Sequence, residues 1–139
     1  MAYQDIEESR MYQRAEKVAD LVWDAVIQWE PFARTTVGEQ MTRAVDSIGA
    51  NIAESSGRYH SNDVIRFLHF ARGSLKETRY WLKRSLQRNL MSTELYNQLL
   101  TELSSLGLEI NSYIRFQHTR SLKEPDVEYH TTPPNDPTL

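Results

Sequence analysis

Apolar residues recur every three or four positions along most of this chain, which is the spacing of one face of an α-helix. The pattern predicts four helices, over residues 5–29, 36–57, 61–89 and 92–118. No stretch alternates between apolar and polar residues in the way that predicts a half-buried strand. Long helices with short connections pack side by side, so the pattern predicts an all-α fold, an antiparallel up-and-down four-helix bundle.

The predicted core is the set of mostly apolar positions on the inner face of each helix. Its members are Ala15, Val18, Ala19, Val22, Val26, Trp29, Val37, Met41, Ala44, Val45, Ile48, Ile52, Val64, Leu68, Ala71, Leu75, Thr78, Leu82, Leu99, Leu103, Leu106, Ile110, Tyr113 and Gln117. A core of this size fits the single domain that 139 residues allow.

Cap and turn residues predict where the helices begin and end. Thr36 and Glu39 have the spacing of a capping box, which predicts that the second helix opens at Thr36. Gly57 is predicted to end that helix in a left-handed conformation. The third helix is predicted to begin at Ser61 or Asn62, because either side chain can act as an N-cap.

The composition changes near residue 119. Residues 119–139 show no helical period, and three of the five prolines lie in the last seven residues. The chain is therefore expected to divide into a four-helix bundle domain, residues 1–118, and a disordered C-terminal tail, residues 119–139.

The chain has features of a cytoplasmic protein. Its first residues are polar and acidic, without the basic start and apolar run of a secretory signal. No apolar run approaches the roughly 20 residues that a membrane span needs. The chain has no cysteine, which excludes disulfides, thiol nucleophiles and thiolate metal sites. We therefore expect a cytoplasmic location and no membrane partner.

Charge is distributed unevenly along the chain, although the net charge is only -3. Residues 1–30 carry seven acids against three basic residues, whereas residues 61–90 carry seven basic residues against two acids. Four of these basic residues fall within about 60 degrees of one another around the third helix. This basic stripe consists of Arg72, Lys76, Arg79 and Lys83. A row of positive charges is a candidate contact for the phosphates of RNA or DNA.

The other flank of the third helix carries large aromatic side chains, Phe67, Phe70 and Trp81. They exceed what one buried stripe in a lone bundle can cover. Exposed aromatic residues commonly mark an interface, so these three are predicted to contact a neighbouring subunit.

The segment SIGANIAESSGR, residues 47–58, combines small side chains with Asn51, Glu54 and Arg58. Its two glycines are eight residues apart and no strand precedes them, so it does not fit a phosphate loop. A helix whose small residues allow a close neighbour fits better. Glu54 and Arg58 have the spacing of a helical ion pair, and Asn51 is positioned to bond a neighbouring helix. The three residues are predicted to be structural, the alternative being a small polar pocket.

The histidines do not fit the metal site that four-helix bundles often hold. A di-iron site needs a glutamate three residues before a histidine, and the chain has no such pair. No nucleophile and base stand out either. We therefore expect no metal, no cofactor and no enzymatic activity.

The segments QMTRAVDSIGANIAESSGR and RFLHFARGSLKET resemble two sequence blocks of a bacterial family. This is the four-helix-bundle family named after open reading frames in large-subunit rRNA intervening sequences. The matching positions are Gln40, Arg43, Ala44, Ser47, Ile48, Asn51, Ile52, Ala53, Glu54, Gly57, Arg58, Ala71, Arg72, Gly73, Ser74 and Glu77. The resemblance covers roughly residues 8–117. It implies a bundle that assembles into a ring, typically a homopentamer.

Two functions remain open at this point, and a third, a small-molecule-binding or catalytic bundle, would require a pocket around Asn51 and Glu54. Relatives of the family include accessory proteins of diversity-generating retroelements, which bind nucleic acid and a reverse transcriptase. By that resemblance, the basic stripe would bind RNA or DNA electrostatically, alone or together with a nucleic-acid-processing protein. The alternative is a protein-interaction scaffold without a nucleic-acid role, whose basic stripe pairs with the acidic first helix of its own or a neighbouring chain.

Overall fold

The computed structural model describes residues 5–124, and the regular structure within that range is entirely helical. A short 3₁₀ turn over Ile6–Glu8 precedes the first long helix. The four long helices are α1 (Arg10–Val26), α2 (Glu39–Ser56), α3 (Ser61–Gln87) and α4 (Thr93–Ser121). The prediction of an all-α fold with four helices and no strand is confirmed for these residues.

The first helix begins later than the apolar period predicted. Ser9 is extended, with a ψ of 145°, and its Oγ accepts a hydrogen bond of 3.2 Å from the backbone N–H of Tyr12. This side-chain cap separates α1 from the 3₁₀ turn before it. The helix ends at Val26, before the predicted Trp29, and a turn leads to Pro31.

The second helix begins earlier than predicted, because Pro31 starts it. Pro31–Ala33 forms an α-helical turn, which continues through a π-helical segment, Arg34–Gly38, into α2. Thr36 therefore lies inside a helix, where its hydroxyl donates a 2.6 Å hydrogen bond to the carbonyl of Phe32. The predicted capping box is wrong, since proline at the first helical position supplies the start signal.

The left-handed helix end also lies elsewhere than predicted. Gly57 has a φ of -84°, a right-handed value, although α2 does end beside it. The left-handed residue is Asn89, with a φ of 58°. The N–H of Asn89 bonds the carbonyl of Leu86 at 3.1 Å, and that of Leu90 bonds Ser85 at 2.9 Å. This pair of bonds is a Schellman motif, which stops α3 and turns the chain toward α4.

The last helix extends past the predicted end of the folded domain. Ser92 caps α4, with its Oγ accepting from the N–H of Leu95 at 3.1 Å. The helix continues to Ser121, three residues beyond the predicted boundary at 118. The rest of the predicted tail, from residue 125, lies outside the described residues.

All four helices contribute to one apolar core. Most of the predicted core is buried, including Met41, Leu68 and Leu103, each with no exposed surface. Ala19 and Tyr113 are half-buried at its edge. The core adds Met11, Ile65, Met91 and Ile114, which the apolar period did not predict.

Each helix packs mainly against two others, since α1 and α3 both contact α2 and α4. Three ion pairs join α1 to α4. Arg14 contacts Glu109 and, at 2.7 Å, Glu102, and Lys17 contacts Glu102 at 3.0 Å. The hydrogen bond from Lys17 and that from Arg14 hold the pKa of Glu102 below its ordinary value. Glu102 therefore stays ionised between two cations.

None of the helices described in residues 5–124 combines the length and apolar character needed to cross a membrane.

Candidate nucleic-acid interface

The basic stripe lies on the side of α3 that borders α4. Lys76, Arg79 and Lys83 are exposed, and Arg72 is half-buried. Their order along α3 places one positive charge on nearly every turn, because positions three or four apart share a helix face. The stripe runs from Arg72 to Lys83, which is eleven helical steps, so it extends about 16 Å along the helix axis.

Arg72 is held by neutral partners. Its Nη1 donates to Oδ1 of Asn111 on α4 at 3.3 Å, and its Nη2 lies 3.0 Å from Nδ1 of His69. A guanidinium has donors and no acceptor, so Nδ1 of His69 must accept this bond and carry no proton. Burial, and then the charges of Arg72 and His118, lower the pKa of His69, which favours the same neutral form.

Arg79 is also held by a neutral partner, since its Nη2 donates to Oγ of Ser104 on α4 at 3.0 Å. Within residues 5–124, no ion pair includes any residue of the basic stripe. Two acids of α4, Glu102 and Glu109, lie close in sequence to these neutral partners. Both form ion pairs with Arg14 of α1 instead. The positive charge of the stripe is therefore not ion-paired with any carboxylate of the described residues.

The first helix contributes an acidic surface elsewhere on the molecule. Glu16 and Asp20 of α1 and Asp46 of α2 line an open groove of about 310 Å³, which we call the acidic groove. Small residues of α2, among them Gly49 and Ala50, form part of its wall. Burial, and then the charge of Asp20, raise the pKa of Asp46 above its ordinary value. The pairing of the basic stripe with α1 of the same chain, one version of the scaffold hypothesis, is absent among these residues.

The predicted aromatic interface is only partly exposed. Phe70 keeps 51% of its surface exposed and meets Phe67 edge to face, with ring centroids 5.6 Å apart. Phe67 is half-buried, and the guanidinium of Arg58 lies over its ring at 4.4 Å. Trp81 is half-buried as well, and its Nε1 donates to Glu77 at 3.4 Å. Contact of these three aromatic residues with a neighbouring subunit stays a prediction.

A comparison with known protein families covers the same helices. The sequence model of the 23S rRNA-intervening sequence protein family matches residues 7–112. The chain belongs to this family. The match spans α1, α2, α3 and most of α4, so it includes every residue of the basic stripe and of the acidic groove.

A solved structure supports the fold of this family member. The crystal structure of a protein of unknown function from the S23 ribosomal protein family of Bacteroides thetaiotaomicron is similar, with a TM-score of 0.68. The two sequences are 22% identical, and the alignment covers 76% of this chain and 98% of that one. At this identity the similarity concerns the fold alone. No curated protein matches the chain.

The residues Asn51, Glu54 and Arg58 of the family's first sequence block do not form one site. Glu54 and Arg58 make the predicted ion pair at 3.1 Å. Asn51 instead donates from Nδ2 to the carbonyl of Ser47, at 2.8 Å within its own helix. The expected bond from Asn51 to a neighbouring helix is therefore wrong, because a carbonyl one turn back is within closer reach.

The sequence did not predict which side chains contact the basic stripe. Asn111 and Ser104 lie more than twenty positions away from the arginines that they contact. Single polar residues on a helix surface give no periodic signal, so only the packing of α3 against α4 brings them together. The contact between His69 and Arg72 could have been predicted, because a spacing of three positions places both residues on one face of a helix.

Proposed function

We propose that this chain is a non-enzymatic subunit of a cytoplasmic ring and that it binds RNA or DNA through the basic stripe. One observation supports the proposal above the others. The four positive charges share one face of α3, and no acid of residues 5–124 pairs with them. Arg72 and Arg79 are oriented by uncharged side chains, so their charge stays available to a phosphate.

We also propose that the helices form an antiparallel up-and-down bundle. Along α3 and α4, Arg72 contacts Asn111 and Arg79 contacts Ser104, so residue numbers rise on one helix and fall on the other. The assembly that we propose is the homopentamer that the family resemblance implies. A ring would repeat the stripe in every subunit, which multiplies the binding of a long polyanion.

Binding of this kind depends on charge and only weakly on sequence. The stripe is about 16 Å long, which corresponds to about five nucleotides along one strand of a duplex. Each phosphate that a basic residue neutralises contributes about -0.9 to the slope of log affinity against log salt for duplex DNA. Four contacts in one subunit therefore predict a slope of about -3.6, and more if several subunits engage.

The test is fluorescence anisotropy with a structured RNA and with a duplex DNA, each titrated at several salt concentrations. The test variant replaces the exposed members of the stripe, Lys76→Gln, Arg79→Gln and Lys83→Gln. We expect its slope on duplex DNA to be shallower by about 2.7 per subunit. Its affinity at low salt should fall by at least 100-fold.

A matched control carries Arg10→Gln, Arg34→Gln and Arg115→Gln, which removes three charges outside the stripe. Both variants change the net charge by the same amount, so a difference between them reports position and not total charge. Equal loss of affinity in the two variants would show that the stripe is not the binding surface. No binding by the unaltered protein at low salt would reject the nucleic-acid function.

The second candidate function is a protein scaffold in which the basic stripe of one chain docks on the acidic groove of another. The observation that favours it is the raised pKa of Asp46, since burial and Asp20 leave its charge poorly compensated. A cation from a neighbouring chain would relieve this cost. Contact between two different surfaces of the same chain is heterologous, and it closes into a ring if the rotation allows.

Oligomer mass distinguishes the two functions. If the protein is a scaffold, the stripe variant should show a lower oligomer mass in sedimentation than the unaltered protein. A groove variant that combines Asp20→Asn with Asp46→Asn should also show a lower mass, and so should the unaltered protein at a higher salt concentration. In the nucleic-acid function the groove variant should keep the RNA affinity of the unaltered protein. A mass that neither variant changes would reject the scaffold.

A further inference from the structure

A second cavity lies where α2 ends, α3 begins and α4 ends. Its volume is about 350 Å³, within the range of small-molecule sites in proteins. The side chains that matter for binding are Arg58, Tyr113, Gln117 and Arg120, with Ile6 and Val64 as apolar lining. The cavity shares no residue with the basic stripe or the acidic groove.

Gln117 is a large polar side chain that is almost fully buried at this cavity. It occupies a core position of α4 and is 2% exposed. Its Oε1 accepts a 3.3 Å hydrogen bond from Nη1 of Arg120, and because a guanidinium only donates, this bond fixes which end of the amide is the oxygen. Within residues 5–124 the amide nitrogen donates to no protein atom.

No buried side-chain polar atom of the described residues lacks a partner, so the amide nitrogen of Gln117 opens onto the cavity that it lines. A side-chain amide has two N–H donors, and a donor that opens onto a cavity can bond an acceptor placed there. The amide nitrogen of Gln117 is therefore a donor that a ligand in the cavity can use.

Arg58 supplies positive charge to the same cavity. Its Nη2 contacts Glu54 at 3.1 Å, and its guanidinium rests on the ring of Phe67. Its Nε and Nη1 donate to no residue between 5 and 124. Glu54 is 60% exposed on the outside, so it screens the charge of Arg58 without occupying the cavity.

Arg120 also lines the cavity and has more hydrogen-bond partners than Arg58. Its Nη2 donates to the carbonyl of Tyr59 at 3.1 Å, and its Nε lies 3.5 Å from Glu124. Hydrogen bonds from Ser61 lower the pKa of Glu124, which therefore stays ionised beside Arg120. Arg120 thus orients Gln117, and Arg58 keeps the donors that a ligand can use.

We propose that this cavity, which we call the arginine pocket, binds a small organic oxyanion. Arg58 would hold the charged group, the amide nitrogen of Gln117 would donate to it, and Ile6, Val64 and the ring of Tyr113 would cover a short apolar part of the ligand. Guanidinium groups bind carboxylate and phosphate oxygens alike, so both are members of the ligand class. This site is independent of the proposed binding of nucleic acid.

The test is a titration of the full chain followed by two-dimensional ¹H–¹⁵N NMR, which resolves the side-chain amide of Gln117. The probes are inorganic phosphate, phenyl phosphate and benzoate. We expect saturable shifts of the Gln117 amide signals with a Kd of about 1 mM or lower for at least one aromatic probe. Inorganic phosphate should bind at least tenfold more weakly than phenyl phosphate, because it lacks the apolar part.

Arg58→Gln is the test variant and Arg79→Gln, in the basic stripe, is the matched control. We expect Arg58→Gln to weaken binding of the aromatic probe at least tenfold and Arg79→Gln to leave it unchanged. Binding of phenyl phosphate alone assigns the pocket to phosphate esters, and binding of benzoate alone assigns it to carboxylates. The proposal is overturned if no probe shifts the Gln117 amide saturably, or if both variants bind equally. Neither result depends on whether RNA or DNA binds elsewhere.

Discussion

Asn89 is the one non-glycine residue of the described chain with a positive φ, 58°. An L-residue with a branched β-carbon is strained there by about 1–2 kcal/mol, whereas glycine is not. We expect Asn89→Val to lower the free energy of unfolding by about 1–2 kcal/mol and Asn89→Gly to leave it nearly unchanged. Urea denaturation of both variants measures this, and equal stability of the two would contradict a left-handed turn.

Glu102 links the stability of the fold to pH. Its pKa is lower in the folded chain than its ordinary value of 4.5, because Lys17 and Arg14 hydrogen-bond the ionised form. Such a group stabilises the fold above the unfolded-state pKa, and the stabilisation is lost as the pH falls through the folded-state pKa. We expect Glu102→Gln to lower the free energy of unfolding by about 1 kcal/mol at pH 7.

The same variant should be no less stable than the unaltered protein at a pH below the folded-state pKa, where Glu102 is protonated in both states. The control is Glu94→Gln, an exposed residue of the same helix that forms no ion pair with residues 5–124. Urea denaturation at neutral and at acidic pH measures both effects. A loss of equal size under the two conditions would mean that packing, and not charge, explains the role of Glu102.

Asp46 should have the opposite effect on stability. Burial and Asp20 raise its pKa, so its ionised form is disfavoured by the fold, and stability is lost as the pH rises through that pKa. We therefore expect Asp46→Asn to raise the free energy of unfolding at pH 7, by about 0.5–1 kcal/mol. Thermal denaturation at pH 7 measures the change, and a lower melting temperature would contradict it.

At the scale of whole elements, Gly38 decides how closely the start of α2 can approach α1. A β-carbon at this position would lie 2.7 Å from Cγ1 of Val26 and 3.2 Å from the carbonyl oxygen of Ala33. Crowding of this kind costs about 1–3 kcal/mol, more than the roughly 1 kcal/mol by which alanine favours a helix. We expect Gly38→Ala to lower the free energy of unfolding.

Gly73 is the matched control, because it lies inside α3 and a β-carbon added there would meet no atom within 4 Å. Gly73→Ala should raise the free energy of unfolding by up to about 1 kcal/mol through helix propensity alone. Chemical denaturation of the two variants tests the pair. The close approach at Gly38 would be disproved if both substitutions stabilised the chain equally.

At the scale of the whole molecule, stabilising charge and binding charge lie in different places. Arg14 ties α1 to α4 through two carboxylates, whereas the basic stripe has no ion pair within residues 5–124. We expect Lys76→Gln, Arg79→Gln and Lys83→Gln together to change the free energy of unfolding by less than about 1 kcal/mol. Arg14→Gln should lower it by more, which thermal denaturation of the two proteins will compare.

The four helices and most core positions could be predicted from the sequence alone. Both depend on an apolar period of three to four residues. This period is a local property of the chain and does not depend on which helices become neighbours. Positions such as Leu68 and Ile110 were therefore predicted and are buried. The predicted starts of α1 and α2 were wrong because other local signals set them. The Ser9 cap, and not the apolar period, sets the start of α1, and Pro31, and not the Thr36 capping-box pattern, starts the helical segment that leads into α2.

Contacts between polar groups, in contrast, depend on how the helices pack. The pairing of α3 with α4 gives Arg72 and Arg79 their neutral partners. The pairing of α1 with α4 places Glu102 and Glu109 in ion pairs with Arg14. The arginine pocket likewise forms where the end of α4 meets the connection between α2 and α3, and the bond from Arg120 to Tyr59 spans 61 positions of sequence. A periodic pattern predicts which face of a helix is buried, but contacts between single polar residues depend on the packing of one helix against another, which no local pattern encodes.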